Sequence, residues 1–361
     1  MKVLAYIVTI LLFQLPFTDS MGQVNKVYDK EEKKSSQLPT YKGSSPSSSA
    51  VLMNSYFSKR EESVDKYCKD IDENEQVQLD SIVVQLKNTD PNSYEYHYVN
   101  YVNSNHDINA FSDLEKANEI SPNNVELFDE FIAHYEITNN ASKKKIYCQQ
   151  LYESNIIPDG ILEYNQNVLN SLEPNAILFT NGSDDTYPAW IQQEVKNVRQ
   201  DVTILNMDLL TNEQYRTEKY SQNGLNQSTA PLADLIYQTS INNPKKPIYI
   251  GLTVNPNVLF KLKNNLFLTG LAFKYSNEKY NNVTEIVSKW EYIFKNEELN
   301  KPVTNSKVQQ INLNYILPLI IIRDYYINSD QVEKKDEIEK LILKIAKEGN
   351  KEKQVQKYLK K

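Results

Sequence analysis

The stretch that decides the fold is "LFTNGSDDTYPAWIQQEVKNVRQDVTILNMDLL", residues 178–210. Its first apolar run stops at Asn181-Gly182, which is a typical turn dipeptide, and a second apolar run begins at Val202. Between the two runs, Pro188 suits the first turn of a helix, and the apolar residues after it recur at helical spacing. The stretch therefore predicts a strand, a helix and a second strand that is parallel to the first.

Two later runs of strand-forming residues extend this pattern. They are "PIYIGLTV", residues 247–254, and "LFLTGLAFKY", residues 266–275. Stretches that can form helices separate the runs, and alternating strands and helices indicate parallel pairing. We therefore expect an α/β domain over residues 173–280, with a small parallel sheet of about four strands.

The chain before this domain has a helical pattern. Residues 53–172 predict a helical domain, in which Pro122 and Pro158 stand 36 positions apart and each closes a helix. The stretch resembles tetratricopeptide-type repeats, and it predicts two irregular helix pairs at 90–122 and 123–158. The tyrosines of "YEYHYVNY", residues 94–101, fit a packed helix face, although a platform for stacking sugars is the alternative.

The regions at the two ends are predicted from composition and periodicity. Residues 281–361 return to a helical pattern that ends in a long helix pair. At the other end, residues 1–22 have the layout of a secretory signal peptide, and residues 23–52 are polar and typical of a disordered linker. Cleavage near Gly22 predicts a periplasmic, secreted or envelope-associated protein with no transmembrane span after cleavage, and no lipid-bearing cysteine follows the site. A retained signal anchor is the alternative.

Composition excludes several classes of function. The net charge of −7 argues against a nucleic-acid partner, which requires a basic surface. The three histidines show no metal-ligand spacing, and the chain has no GxSxG, Walker or GxGxxG motif. We therefore expect no cofactor. The two cysteines, Cys68 and Cys148, can pair in an oxidising compartment or remain two separate buried thiols.

The region from 173 to 347 is similar to a known family. At "ILFTNGSDDTYPAWIQQEVKNVRQDVTILNMDLL", "KPIYIGLTV" and "NLFLTGLAFKYS" it resembles the soluble C-terminal region of bacterial multi-spanning membrane proteins that are related to protein O-mannosyltransferases. The matching residues are Gly182, Asp185, Thr186, Tyr187, Pro188, Trp190, Arg199, Asp201, Val202, Gly270 and Leu271. Ser183 and Asp184 depart from the family's Asp-Asn at those positions, and the family's membrane-embedded transferase portion has no counterpart here. The resemblance implies a fold and an envelope context, and it does not imply catalysis.

The candidate ligand-binding residues follow the predicted strands, where open parallel sheets bind their ligands. They are Asn181, Ser183, Asp184, Asp185, Tyr187, Trp190, Asp208 and Asn255. The carboxylates can bind a cation or accept sugar hydroxyls, and the aromatic rings offer apolar faces. The structural alternative is that Asp185 or Thr186 caps the helix, which is worth ~1 kcal/mol and needs no ligand.

These observations predict an exported, non-catalytic binding or scaffolding component of a bacterial envelope complex with protein partners. The alternative is an accessory or divergent enzyme of surface glycosylation, with a glycan partner and an acidic crevice in the α/β domain.

Overall fold

A computed structural model describes residues 47–64 and 71–359. The chain forms two compact units, which divide between Lys144 and Lys145. The predicted signal peptide and residues 23–46 of the predicted linker lie outside the described residues, and the first described helix begins at Ser48. The domain limits proposed at residues 53, 173 and 281 stay predictions.

The described part of the first unit, residues 47–64 and 71–144, is helical. Its helices are α1 (Ser48–Ser63), α2 (Glu73–Thr89), α3 (Tyr94–Asn103), α4 (Phe111–Ile120), α5 (Phe128–Ile137) and the start of α6 (Ala141–Glu153), which crosses into the second unit. Helix α1 packs against α2 and α3, and α3 packs against α4. The pair α3 and α4 falls within the predicted 90–122, and α5 and α6 fall within the predicted 123–158. The likeness to tetratricopeptide repeats stays a prediction.

The tyrosines of α3 pack inside the first unit. Tyr101 is fully buried and Tyr98 is 9% exposed, whereas Tyr94 and Tyr96 are half-buried. Tyr98 lies against Tyr94 and Phe57, with ring centroids 5.6 and 5.4 Å away. Tyrosines in a core remove large apolar areas from water. The burial therefore favours the packed helix face over the sugar-stacking platform.

The second unit, from residue 145 to residue 359, contains a five-stranded sheet with the order β2-β1-β3-β5-β4. The strands are β1 (Ile177–Thr180), β2 (Thr203–Asn206), β3 (Ile248–Gly251), β4 (Leu266–Leu268) and β5 (Ala272–Tyr275). Strand β1 is parallel to β2 and to β3, with Leu178 opposite Ile204 and Tyr249. All four residues of β1 are buried, as expected for a strand with both faces covered. The layout of a helical part followed by an α/β part is thus confirmed.

The sheet differs from the expected parallel one at its far edge. Strands β4 and β5 form a hairpin across Thr269, Gly270 and Leu271, and β5 runs antiparallel to β3. A three-residue connection is too short for the crossover that parallel strands need. Gly270 adopts a φ of +112°, which lets the chain reverse inside what reads as one apolar run. The sheet is therefore mixed, and it has five strands instead of about four.

Helices surround the sheet and complete the second unit. They are α7 (Asp159–Asn170), α8 (Ser183–Glu194), α9 (Glu213–Gln222), α10 (Leu232–Asn242), α11 (Val283–Tyr292), α12 (Glu297–Asn300), α13 (Ser306–Asn312), α14 (Ile316–Asn328), α15 (Val332–Glu348) and α16 (Glu352–Leu359). Helix α7 packs against α8, and α14 packs against α15 as the predicted C-terminal pair. Of the helices that the structure describes, none combines the length and the apolar character that spanning a membrane requires.

Candidate functional site

The turn between β1 and α8 is held by the carboxylate of Asp185. Asp185 Oδ2 accepts a hydrogen bond from the backbone N–H of Asn181 at 2.7 Å, and Oδ1 accepts one from the N–H of Gly182 at 2.8 Å. The N-cap position is occupied by Gly182, so Asp185 stands at the third helical position and reaches back to the turn. The expectation that Asp185 or Thr186 is itself the N-cap is corrected in this respect, because the helix begins at Ser183. Asp185 still satisfies N–H groups that the helix start leaves unpaired.

Asp185 also joins two strands. The hydroxyl of Thr253, which follows β3, donates a hydrogen bond to Asp185 Oδ2. Asp185 is 6% exposed, and this burial raises the pKa of its carboxyl, while the hydrogen bonds from Asn181, Thr253 and Gly182 lower it. The carboxylate thus connects the carboxyl ends of β1 and β3 from inside the fold.

A second polar network joins β1 to β2. The hydroxyls of Thr180 and Thr186 lie 2.8 Å apart, and Asn206 Nδ2 donates to Thr186 Oγ1 at 2.8 Å. Asn206 Oδ1 in turn accepts from the N–H of Leu209 at 2.9 Å. All three polar side chains are buried. Because each is bonded within the protein, this network fixes the strand ends relative to α8.

The solvent-facing part of the edge consists of Ser183, Asp184 and Asp208. Ser183 and Asp184 are exposed, and Asp208 is half-buried. Lys307 Nζ lies 3.9 Å from Asp184 Oδ1, and Asn165 Nδ2 donates to the backbone oxygen of Asp184 at 2.9 Å. Sequence reasoning missed Lys307 and Asn165 because they lie on helices far from the turn along the chain.

Gly182 leaves open space in front of Asp208. A Cβ atom placed on Gly182 would meet nothing nearer than Asp208 Oδ2, at 4.0 Å. The φ of Gly182 is −163°, an extended conformation that any residue adopts, so the backbone does not require glycine here. Within residues 47–64 and 71–359, no three His, Cys, Asp or Glu side chains form a group that could hold a metal ion. The predicted carboxylates Asp184, Asp185 and Asp208 therefore do not make such a group.

The two aromatic residues have different exposures. Trp190 is 2% exposed and contacts Tyr187, with ring centroids 5.6 Å apart at 70°. Its indole therefore packs in the core and presents no face to solvent, while Tyr187 is half-buried. Both lie on α8, where residues three positions apart share a face. Of the two rings, only that of Tyr187 is partly exposed to solvent.

Asn255 lies in the loop that follows β3. Its side chain accepts a hydrogen bond from the N–H of Asn257 at 3.0 Å and caps the short helical turn Pro256–Leu262. Thr253 is the residue of this loop that bonds to Asp185. The structure therefore joins the β3 loop to the site through Thr253. A ligand role for Asn255 and for the other candidate residues stays a prediction.

Arg199 and Asp201, which carry part of the family resemblance, form a structural clamp. Arg199 Nη1 donates to the carbonyl oxygens of Leu169 and Leu172 at 2.9 and 2.7 Å, and Nη2 donates to that of Glu173 at 2.7 Å. The guanidinium also binds Asp201, with Nε 2.8 Å from Oδ1, and lowers the pKa of that carboxyl to about 2. The clamp holds the end of α7 against the entry to β2.

The cysteine pairing remains a prediction. Cys148 lies on α6 and is fully buried. Cys68 lies outside the described residues.

Comparison with known proteins gives one partial match. A family model described as TMEM260-associated domain 2 matches residues 161–238. The matched segment runs from α7 into α10 and contains β1, α8 and β2, so it includes the Asp185 turn and the Arg199 clamp. No curated protein and no solved structure matches the chain.

Proposed function

We propose that this protein is a non-catalytic binding or scaffolding component of a bacterial cell envelope complex. One observation carries the proposal: the most buried polar groups at the sheet edge are bonded to each other. Asp185 bonds to Asn181, Gly182 and Thr253, and Thr186 bonds to Thr180. General acid–base or nucleophilic catalysis needs such groups to face a substrate, whereas these groups face the fold.

The solvent-facing groups at the same edge suit binding. Ser183 and Asp184 are exposed, and Asp208 lies beside the open space at Gly182. Carboxylate and hydroxyl oxygens accept hydrogen bonds from a partner's N–H and O–H groups, and a carboxylate makes the stronger, charge-assisted ones. In an α/β unit, loops at the carboxyl edge are the usual place for a binding surface. The envelope location rests on the predicted signal peptide, and the tetratricopeptide-like helix pairs support a role in binding proteins.

The experiment is affinity purification of the exported full chain from native envelope fractions, followed by mass spectrometry. The test variant combines Asp184→Asn with Asp208→Asn, which removes two charges without changing the side-chain shapes. Glu337→Gln, an exposed neutralisation on α15, is the matched control. We expect at least one envelope protein to be enriched with the wild type and with Glu337→Gln and to be lost with the double variant. Equal recovery with all three proteins would contradict binding at this edge.

An accessory role in glycosylation is the second candidate, and the family match favours it. The matched segment contains the residues that resemble the family related to protein O-mannosyltransferases, and it carries the acidic edge. Asp184 and Asp208 can accept hydrogen bonds from sugar hydroxyls, and Tyr187 can pack against a sugar ring.

Titration of the protein with an O-mannosylated peptide, beside the same peptide without the sugar, tests this candidate. Saturable binding of the mannosylated peptide alone, lost in the Asp184→Asn, Asp208→Asn variant, would support it. Identical responses to both peptides would exclude sugar recognition at this edge.

A further inference from the structure

The first unit contains a cluster of titratable groups that no part of the proposed function uses. Asp129 and Glu130 are neighbours in the first turn of α5. The Glu130 side chain is only 16% exposed, and its Oε2 lies 3.4 Å from Nδ1 of His106. In the described residues, Glu130 Oε2 and the fully buried Tyr101 Oη have no hydrogen-bond partner. A buried polar atom without a partner destabilises the folded state, and the effect is larger when the atom is charged.

Among the described residues, several titratable groups interact with the pair directly: Tyr56 and Arg60 of α1, Tyr94, Tyr98 and Tyr101 of α3, His106 of the following loop, and Glu126 before α5. Asp80 of α2 acts on Tyr56, and His134 and Tyr135 of α5 interact with His106 and Tyr101. Arg60 is the cation that acts on Glu130, and it lowers the pKa of that carboxyl. Within the described part of the chain, two carboxylates therefore share a site with one guanidinium and several uncharged phenols.

Asp129 and Glu130 are both half-buried, and this partial burial makes two adjacent negative charges unfavourable. It raises the pKa of both carboxyls into the neutral range, and the charge of Glu130 raises the pKa of Asp129 further. The backbone brings a third proton acceptor to the same place. Asn105 and His106 both have positive φ, at 52° and 62°, and this bend sets the His106 ring beside Glu130. A proton on Glu130 or on His106 reduces the net negative charge of the half-buried cluster.

We propose that Asp129, Glu130 and His106 form a pH-sensitive switch in the helical unit. Protons bound at the pair stabilise the packing of α3 and α5, and their release destabilises it. The sign follows from proton binding. A carboxyl with a raised pKa binds its proton more tightly in the folded state, so its stabilising effect is complete below the unfolded pKa, about 4 for Asp and Glu. The effect is lost as the pH rises through the neutral range. Each such carboxyl changes the equilibrium constant for local unfolding of these helices by at most about tenfold per pH unit.

Hydrogen exchange of the full chain at pH 6 and pH 8, read by mass spectrometry, tests the switch. Protection factors corrected for the intrinsic exchange rate are compared for peptides over 94–103 and 128–137, and peptides over 177–180 serve as the internal reference. We expect protection in the first two peptides to fall about tenfold or more at pH 8, with the reference unchanged. Glu130→Gln and Asp129→Asn should each reduce this fall, because each removes the contribution of one carboxyl.

Glu115→Gln, an exposed neutralisation on α4 in the same unit, is the control and should keep the wild-type fall. Equal protection of the wild type at both pH values would overturn the proposal. A fall that persists in full in both Glu130→Gln and Asp129→Asn would overturn it as well.

Discussion

Replacing Asp185 tests how the strand ends are held together. In the Asp185→Ala variant the N–H groups of Asn181 and Gly182 and the hydroxyl of Thr253 all lose their acceptor. Hydrogen bonds to a charged group contribute about 1.5–3 kcal/mol each. Removing the carboxylate also removes the cost of burying a charge, and this cost is what raises the pKa of Asp185. With this offset, we expect the free energy of unfolding to fall by about 2–4 kcal/mol.

Serine at position 185 should recover little of this loss. A serine at an N-cap position can replace aspartate, but position 185 is the third residue of α8. From there a single short hydroxyl cannot reach the N–H groups of Asn181 and Gly182 and the Thr253 hydroxyl together. Asp184→Ala, by contrast, removes an exposed side chain and should change stability by less than about 0.5 kcal/mol.

The free energies of unfolding of the three variants are measured by urea unfolding, with tryptophan fluorescence as the signal. Trp190 is 2% exposed on the same helix as Asp185, so its emission reports unfolding of the second unit. The reasoning would be refuted if Asp185→Ala unfolded at the same urea concentration as Asp184→Ala. It would also be refuted if Asp185→Ser matched the wild type, because a simple cap would then account for the residue.

Three further predictions concern other parts of the chain. Arg199→Lys should destabilise the second unit by about 2 kcal/mol in urea unfolding at pH 7, because an ammonium cannot make the forked contacts to three carbonyls and Asp201. The pKa of Asp201 is lowered by Arg199, so the wild-type advantage should shrink as the pH falls from about 4 toward 2. Gly270→Ala should lower the melting temperature, since φ is +112° and the new Cβ would lie 2.5 Å from Ser171 Oγ. N-terminal sequencing of exported protein should begin near Gln23, and an intact Met1 in washed membranes would show a retained anchor.

The sequence was most informative where structure is local. Strand β1, the turn at Asn181-Gly182, helix α8 and strand β2 all follow from apolar runs, a turn dipeptide and helical spacing within one stretch. The sequence pattern did not predict the hairpin of β4 and β5, because Thr269-Gly270-Leu271 continues the apolar run on either side. The reversal depends on the φ of Gly270, and a glycine in a sequence does not reveal its φ.

The sequence indicated which residues follow the strands at the sheet edge, but not how their side chains are oriented. Helical spacing puts Trp190 on α8, and only tertiary packing buries its ring. Asp185 and Thr253 are far apart along the chain, so their hydrogen bond depends on the order of β1 and β3 in the sheet. The half-buried pair of Asp129 and Glu130 could not be predicted from the sequence, because adjacent acidic residues in a helix are usually solvated.

The most direct measurement of the central claim, that the sheet edge binds a partner, is photo-crosslinking in intact cells. A photoreactive amino acid is placed at Ser183, which is exposed at the edge, or at Glu337, which is exposed on α15. We predict a discrete crosslinked product with an envelope protein from position 183 and none from position 337. The absence of any product from 183, or the same product from both positions, would contradict the account.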